Sequence, residues 1–388
     1  MMKMLTACTS KIYDPDLAAE EILTQLGIPG SLLRNSVGII ACYYEFVDFE
    51  GVKAISDALP FDVIGCTAMG SAVSAASALD QLSITVLTGD DLEFSVALSE
   101  AIIDGGEEEP IRGVYTEALG KLSGAPSLIF ALAPILTDVS GDFMLRLLDY
   151  FSGGEIPIFG TLSNDTALTY ENAKVFAGGE IHARKMALLL IRGNIQPAFF
   201  VMAISESHIQ QQSAIVTSAE GYRLKEVNNM PLIGYLESIG IDTYGLSAAT
   251  TLPLLVDFMD GGGSIACSMY AITEEGALTG FEIPSGALLT FAEVDYGSVM
   301  DTAEAAVTAA KDYAAQNGGS GIITVSCLSR CLVLAPDQTA EMERSRAITG
   351  GQLPFFLMYS GGEICPVNTL DGKMINRFHN LTYTLMVI

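Results

Sequence analysis

Three stretches of this chain share one grammar: helical spacing, a proline, a short apolar strand, then a turn of small residues. They are residues 52–69, with Leu59-Pro60 ahead of Gly65-Cys66-Thr67; 144–164, with Ile156-Pro157 ahead of Gly160-Thr161; and 339–363, with Leu353-Pro354 ahead of Ser360-Gly361-Gly362. A proline closes a helix, and a short apolar run bounded by turn residues makes a buried strand. Each stretch therefore predicts a helix that returns the chain to a sheet. The last two are also preceded by an apolar strand, at 127–131 and 321–325, and followed by further strands. The fold expected is α/β, with mixed α+β sheets covered by helices. Either the two halves derive from an internal duplication, or the strand–turn grammar recurs by chance, as it does across α/β proteins. Under duplication the equivalent turns face each other or share an interface, a usual setting for ligands.

The remaining segments read in the same terms. Residues 4–8 form a strand, and 14–26 a helix with Asp14 as N-cap, Pro15 at its first position and Gly27 at its end. Strands at 83–88 and 92–98 flank Gly89-Asp90-Asp91, a hairpin signal. Four strands are expected across 174–204. A polar stretch at 205–212 marks the boundary between two domains, 1–205 and 206–388. Residues 299–317 form an alanine-rich helix closed by Gly318-Gly319.

Composition narrows the function. Half of the 388 residues are hydrophobic and 17% are charged, which is a globular balance. Forty-six acidic residues against 19 basic ones give a net charge of −27, which repels nucleic acid and anionic membranes. No apolar stretch is long enough to span a bilayer, and the chain enters its first strand with no secretory segment, so a cytoplasmic protein is expected. Seven scattered cysteines read as reduced, buried thiols, and three histidines share no helical face, so no metal site is expected. Gly261-Gly262-Gly263 lacks the lysine of a phosphate-binding loop, and no standard catalytic signature is present, so no cofactor is expected either.

Chemistry-bearing residues gather near the C-terminus. Ser326-Cys327-Leu328-Ser329-Arg330 ends one apolar run, Ser360-Gly361-Gly362-Glu363 follows another, and His379-Asn380 precedes the last. Strand ends hold side chains out from a rigid scaffold, where binding groups usually sit. Together with Tyr359 and Ile364-Cys365-Pro366, this set resembles the C-terminal FIST domain, as do 216–221 and 226–232. Residues 63–70 and 157–160 resemble its N-terminal FIST partner, so the likeness covers almost the whole chain. It implies an intracellular sensory module that binds a small ligand such as an amino acid. With no output module attached, a separate signalling partner is expected. Two stretches depart from the family pattern: Gly160-Thr161-Leu162-Ser163-Asn164-Asp165 is not alanine- and glycine-rich, and no glycine precedes Tyr359.

Each candidate group has a ligand role and a plainer one. The Arg330 fork suits a ligand carboxylate, or it pairs with Glu363 to join two loops. Glu363, beside the exposed amides of Gly361 and Gly362, suits a ligand ammonium. Ser360, His379 and Asn380 would orient the ligand or fix the preceding loop. Cys327 lines the pocket, or forms a thiolate–imidazolium pair with His379 in a thiol hydrolase or transferase. In the N-terminal half Gly65, Cys66, Thr67, Gly160 and Asn164 are binding-turn candidates, with close packing as the plainer role. The expectation is a sensor for an amino acid or small carboxylic acid, with the thiol enzyme and an interaction scaffold as alternatives.

Overall fold

A computed structural model describes residues 2–166, 169–243 and 251–388. The chain opens with β1 (Met2–Thr9), α1 (Pro15–Leu26), β2 (Asn35–Cys42), α2 (Glu45–Asp48), α3 (Gly51–Ala58) and β3 (Val63–Thr67). A hairpin of β4 (Ser71–Val73) and β5 (Ser77–Ala78) follows, then β6 (Leu82–Gly89). The same order repeats in β7 (Glu93–Leu98), α4 (Glu108–Gly120), β8 (Leu128–Pro134), α5 (Gly141–Ser152) and β9 (Ile158–Ser163). The second hairpin is β10 (Val175–Ala177) with β11 (Glu180–His182), and β12 (Ala187–Arg192) ends the unit.

A third unit begins at β13 (Ala198–Met202) and is interrupted by an insertion. The insertion holds β14 (Ile209–Glu220), β15 (Arg223–Val227), β16 (Met230–Pro231), α6 (Leu232–Ser238), β17 (Leu252–Asp257), β18 (Ser264–Thr273), β19 (Gly276–Thr279) and β20 (Leu288–Ala292). The unit resumes with α7 (Tyr296–Asn317), β21 (Ile322–Cys327), α8 (Leu328–Val333), α9 (Ala340–Thr349) and β22 (Phe355–Ser360). It closes with the hairpin β23 (Glu363–Asn368) and β24 (Met374–His379), then β25 (Tyr383–Val387).

Local chemistry explains the boundaries. The Asp14 carboxylate accepts the Leu17 amide at 3.1 Å, and Gly27 takes the left-handed φ of +66° that ends α1. In the same way Asp295 caps α7 and Gly318 ends it. Pro157 and Pro354 sit just before β9 and β22, where their missing N–H costs nothing. Their carbonyls accept the first bonds of the parallel ladders, from Ile129 and Ile322, each at 2.9 Å. Asp62 plays that part before β3, accepting from Gly38 at 3.0 Å.

Among the described residues the strands form three six-stranded sheets and one seven-stranded sheet. The three six-stranded sheets are ordered β1-β6-β2-β3-β10-β11, β7-β12-β8-β9-β23-β24 and β13-β25-β21-β22-β4-β5. Position by position these are one topology three times. The central pairs β2–β3, β8–β9 and β21–β22 are parallel, and the other neighbours are antiparallel. Each unit's hairpin leaves its own sheet: β4–β5 completes the third sheet, β10–β11 the first and β23–β24 the second. The three stretches with the shared grammar are the crossovers of these three units. The repeat thus runs three times, one more than a reading of two related halves counts.

Inner faces of all three sheets meet in one core, with Ile39 and Ile64 from the first, Phe130 and Phe159 from the second, and Val325 and Met358 from the third. Helices cover the outer faces: α1 and α3 on the first sheet, α4 and α5 on the second, α7 and α9 on the third. The insertion is a barrel, because β14 pairs with β15 as well as β20 and leaves no open seam there. Its interior is continuous with the apolar layer under α4 and α5. One local expectation fails. β6 and β7 do not form a hairpin, because β6 is already flanked by β1 and β2, and β7 moves on to pair with β12.

Candidate functional site

Where each unit's central strand hands over to the incoming hairpin, three equivalent backbone bonds form. The Thr67 amide donates to Lys174 at 3.0 Å, Leu162 to Gly362 at 2.9 Å, and Tyr359 to Gly70 at 3.0 Å. Most of the expected site residues lie at this junction. Asn164 ties all three units together: its backbone amide donates to the Thr67 carbonyl, its Oδ1 accepts the Met69 amide at 2.7 Å, and its Nδ2 donates to the Tyr359 carbonyl at 2.8 Å. The Thr67 hydroxyl accepts the Lys174 amide. Ser360 Oγ accepts from Thr161 at 2.6 Å and from the Gly362 amide at 2.9 Å.

The junction glycines serve approach rather than exposure. A Cβ on Gly160 would lie 1.9 Å from the Ala131 carbonyl oxygen, and one on Gly65 would lie 2.2 Å from the Phe176 ring. Gly361 abuts the Ser163 carbonyl, and Gly362 faces Phe378, whose Cζ would be 2.4 Å from an added Cβ. Cys66 is a core residue whose thiol is pushed by burial to about 12.

Glu363 is fully buried at the start of β23. Its Oε2 accepts the Thr382 hydroxyl at 2.7 Å and the Thr382 amide at 3.2 Å, while Oε1 completes no hydrogen bond within 3.5 Å among the described residues. Burial drives its carboxyl up to about 8 against the opposing pull of those bonds, so it is held protonated at neutral pH. His379 lies opposite Glu363 in the β23–β24 ladder. Its Nε2 donates to the Cys365 carbonyl at 3.0 Å, and burial holds the ring down to about 4, neutral. Asn380 is turned to the barrel, its carboxamide filling the space beside Gly280. The Cys327 thiol is raised far above its ordinary value, first by burial and then by Glu363. It therefore offers no thiolate, and His379 is engaged elsewhere.

Arg330 stands apart from the junction, and the expected Arg330–Glu363 pair does not form. The guanidinium is fully buried on α8, bonded to Glu341 on α9 at 2.7–2.8 Å. Its other donors go to the carbonyls of Ala203 and Val299 and the Thr302 hydroxyl. Ser326 donates to the second Glu341 oxygen at 2.6 Å. With its donors spent on three segments, Arg330 holds the third unit together and presents no fork to a ligand.

An open cavity of about 380 Å³ lies beside the junction, between α5, β24 and the barrel. From α5 it receives Asp142, Arg146 and Asp149, spaced to share one flank of the helix, with Leu145 beside them, while Met144 and Leu148 face the core. β24 contributes Asn376, Arg377 and Phe378; the barrel adds Phe258, Phe281 and Glu282. Arg146 bridges Asp142 at 3.2 Å and Glu282 at 2.9 Å, and Arg377 is bonded to Asp260 and stacks over Phe258 at 4.8 Å. Asn376 donates to Asp149 at 2.6 Å. Burial raises the Asp142 carboxyl against the pull of Arg146, and burial lowers Arg377. Phe378 belongs to both places, since it lines the cavity and packs against the space left by Gly362 and Gly141. Sequence reasoning missed these residues; the signal present was the Asp142/Arg146/Asp149 spacing on an otherwise apolar helix.

Residues 36–230 match the FIST N domain family model and 232–366 the FIST C domain model. This chain belongs to the FIST family. FIST domains are generally sensor domains of signal transduction. His379, Asn380 and the cavity residues on β24 lie beyond the matched span. No curated protein matches the chain. Two solved structures of cyanuric acid hydrolase do. One, described as an evolutionary innovation by structural concatenation, is 7% identical with a TM-score of 0.38, and covers 100% of this chain and 98% of its own. The other, from A. caulinodans, is 9% identical with a TM-score of 0.36, covering 100% and 99%. At those scores neither likeness bears on fold or function. Among the described residues no helix is long and apolar enough to cross a membrane.

Proposed function

We propose that this FIST protein is a sensor that binds a small ligand, an amino acid or small carboxylic acid, in the cavity between α5, β24 and the barrel. The cavity carries the reading: its volume falls within the ~300–1,000 Å³ of small-molecule pockets, and it sets both signs of charge against apolar walls. It also sits at a seam where a helix of the second unit, a hairpin lent by the third, and the inserted barrel meet. A ligand that prefers one arrangement of those parts shifts the balance among them. The changed surface is then read by a separate signalling protein in the cytoplasm, with no role for nucleic acid or membrane. A thiol enzyme gains no support from a buried, protonated Cys327.

A thermal-shift panel of amino acids and small mono- and dicarboxylic acids tests this, because a ligand bound only by the native state raises the melting temperature. The expected result is a shift with at least one compound, lost in Asp142→Asn and Arg377→Met at unchanged apo fold. A panel without any shift would favour the scaffold reading, and a shift indifferent to both substitutions would place the ligand site elsewhere.

A further inference from the structure

We infer that, among the ligands proposed above, this cavity selects those that carry an ammonium group on an apolar body about the size of a phenyl ring, and disfavours an acid that lacks the ammonium. The inference rests on the cavity being the sensor's ligand site. Three carboxylates line the cavity (Asp142, Asp149, Glu282) against two guanidiniums (Arg146, Arg377). Neither guanidinium is free. Arg146 is shared between Asp142 and Glu282, and Arg377 is bonded to Asp260, outside the lining, while its face rests on Phe258. A ligand carboxylate would have to displace one of these acids and would face the remaining ones in a partly desolvated space.

An ammonium meets the opposite situation. Asp142 is deep, its side chain 16% exposed, and its one direct cation among the described residues is Arg146, which stands at the mouth with 49% exposed. Asp149 is held by the neutral Asn376 amide. A cation placed beside either carboxylate adds charge-assisted bonds without breaking any. The formal charge of −27 across the whole chain acts in the same direction, drawing cations in and turning anions away. For the apolar part, Phe258 and Phe281 stand with ring centroids 5.8 Å apart, and Phe378 and Leu145 complete the wall. Such a wall suits an aromatic or branched aliphatic group.

Three probes of nearly the same shape separate the charges: 2-phenylethylamine, L-phenylalanine and 3-phenylpropionate. Each is titrated calorimetrically into the full-length protein and into Asp142→Asn and Asp149→Asn. The amine and the amino acid should bind, with 3-phenylpropionate weaker by about tenfold or more. Each substitution should weaken the amine by about tenfold, as loss of a charged hydrogen bond does. If 3-phenylpropionate binds as tightly as the amine, the charge preference is overturned while the sensor reading stands. Amine binding indifferent to both substitutions places the ligand elsewhere and overturns the cavity with it. If none of the three binds, this ligand class is wrong, and a positive in the wider panel would still uphold the sensor.

Discussion

At the scale of single residues, the junction holds two buried ionisable groups that pull stability in opposite directions with pH. Glu363, driven up to about 8 by burial, keeps a proton that the unfolded chain releases near pH ~4.3, so its contribution is lost as pH rises through about 8. His379, held down to about 4 by burial, refuses a proton that the unfolded chain accepts near ~6.5, so its contribution is lost as pH falls through that window. Between ~4.3 and ~6.5 the two slopes cancel, and above ~6.5 the Glu363 slope acts alone. Glu363→Gln should therefore gain melting temperature relative to wild type as pH rises from 6.5 to 8. Parallel melting profiles across that range would show that Glu363 is already ionised in the fold. Arg330 calls for a different outcome. Removing it strands the buried Glu341, so Arg330→Ala should lose about 3–5 kcal/mol in chemical denaturation, and Arg330→Met with Glu341→Leu should recover much of that. Arg330 was legible as an important residue from its place after a strand. Its partner was not, because nothing local says that α9 returns Glu341 over α8.

At the scale of elements, the proline-then-strand grammar was legible because its cause is local. A residue at the head of a parallel strand needs its carbonyl and not its amide, and Pro157 and Pro354 supply that. Two glycines in the same strand–turn segments differ in what they protect. Gly160 lies against the backbone of β8, which cannot rotate away, so Gly160→Ala should cost at least the ~1–3 kcal/mol of an overpacked core in urea unfolding. Gly362 faces the Phe378 ring, which can turn. Gly362→Ala should cost less stability but weaken L-phenylalanine binding, because the displaced ring enters the cavity. A Gly362→Ala protein with unaltered binding would separate the junction from the cavity. The missed partition of β6 and β7 has a physical source too. Two apolar strands around Gly-Asp-Asp look like a hairpin locally, and only the prior claim of β1 and β2 on both edges of β6 forbids it.

At the scale of the whole molecule, the exchange of hairpins among three sheets was invisible in the sequence. β9 pairs with β23 across about two hundred residues, and neither strand carries a mark of that choice. Periodicity reports which face is buried, not which chain segment covers it. The exchange also makes the sheets interdependent. A fragment of residues 1–205 keeps β13 but loses β21, β22 and β25 from the third sheet and β23–β24 from the second. Expressed alone it should lack a cooperative melt, whereas the full chain should unfold in one transition; a cooperative melt of the fragment would show that its sheets close without the lent strands.

Hydrogen exchange with and without saturating L-phenylalanine tests the central claim, the ligand cavity, most directly. Exchange should slow in peptides spanning 141–149, 258–265, 281–284 and 374–379, with 326–331 and 360–363 unchanged because they are already sealed. Protection confined to 326–331 and 360–363 would return the site to the junction, and no protection anywhere would contradict binding of this probe altogether.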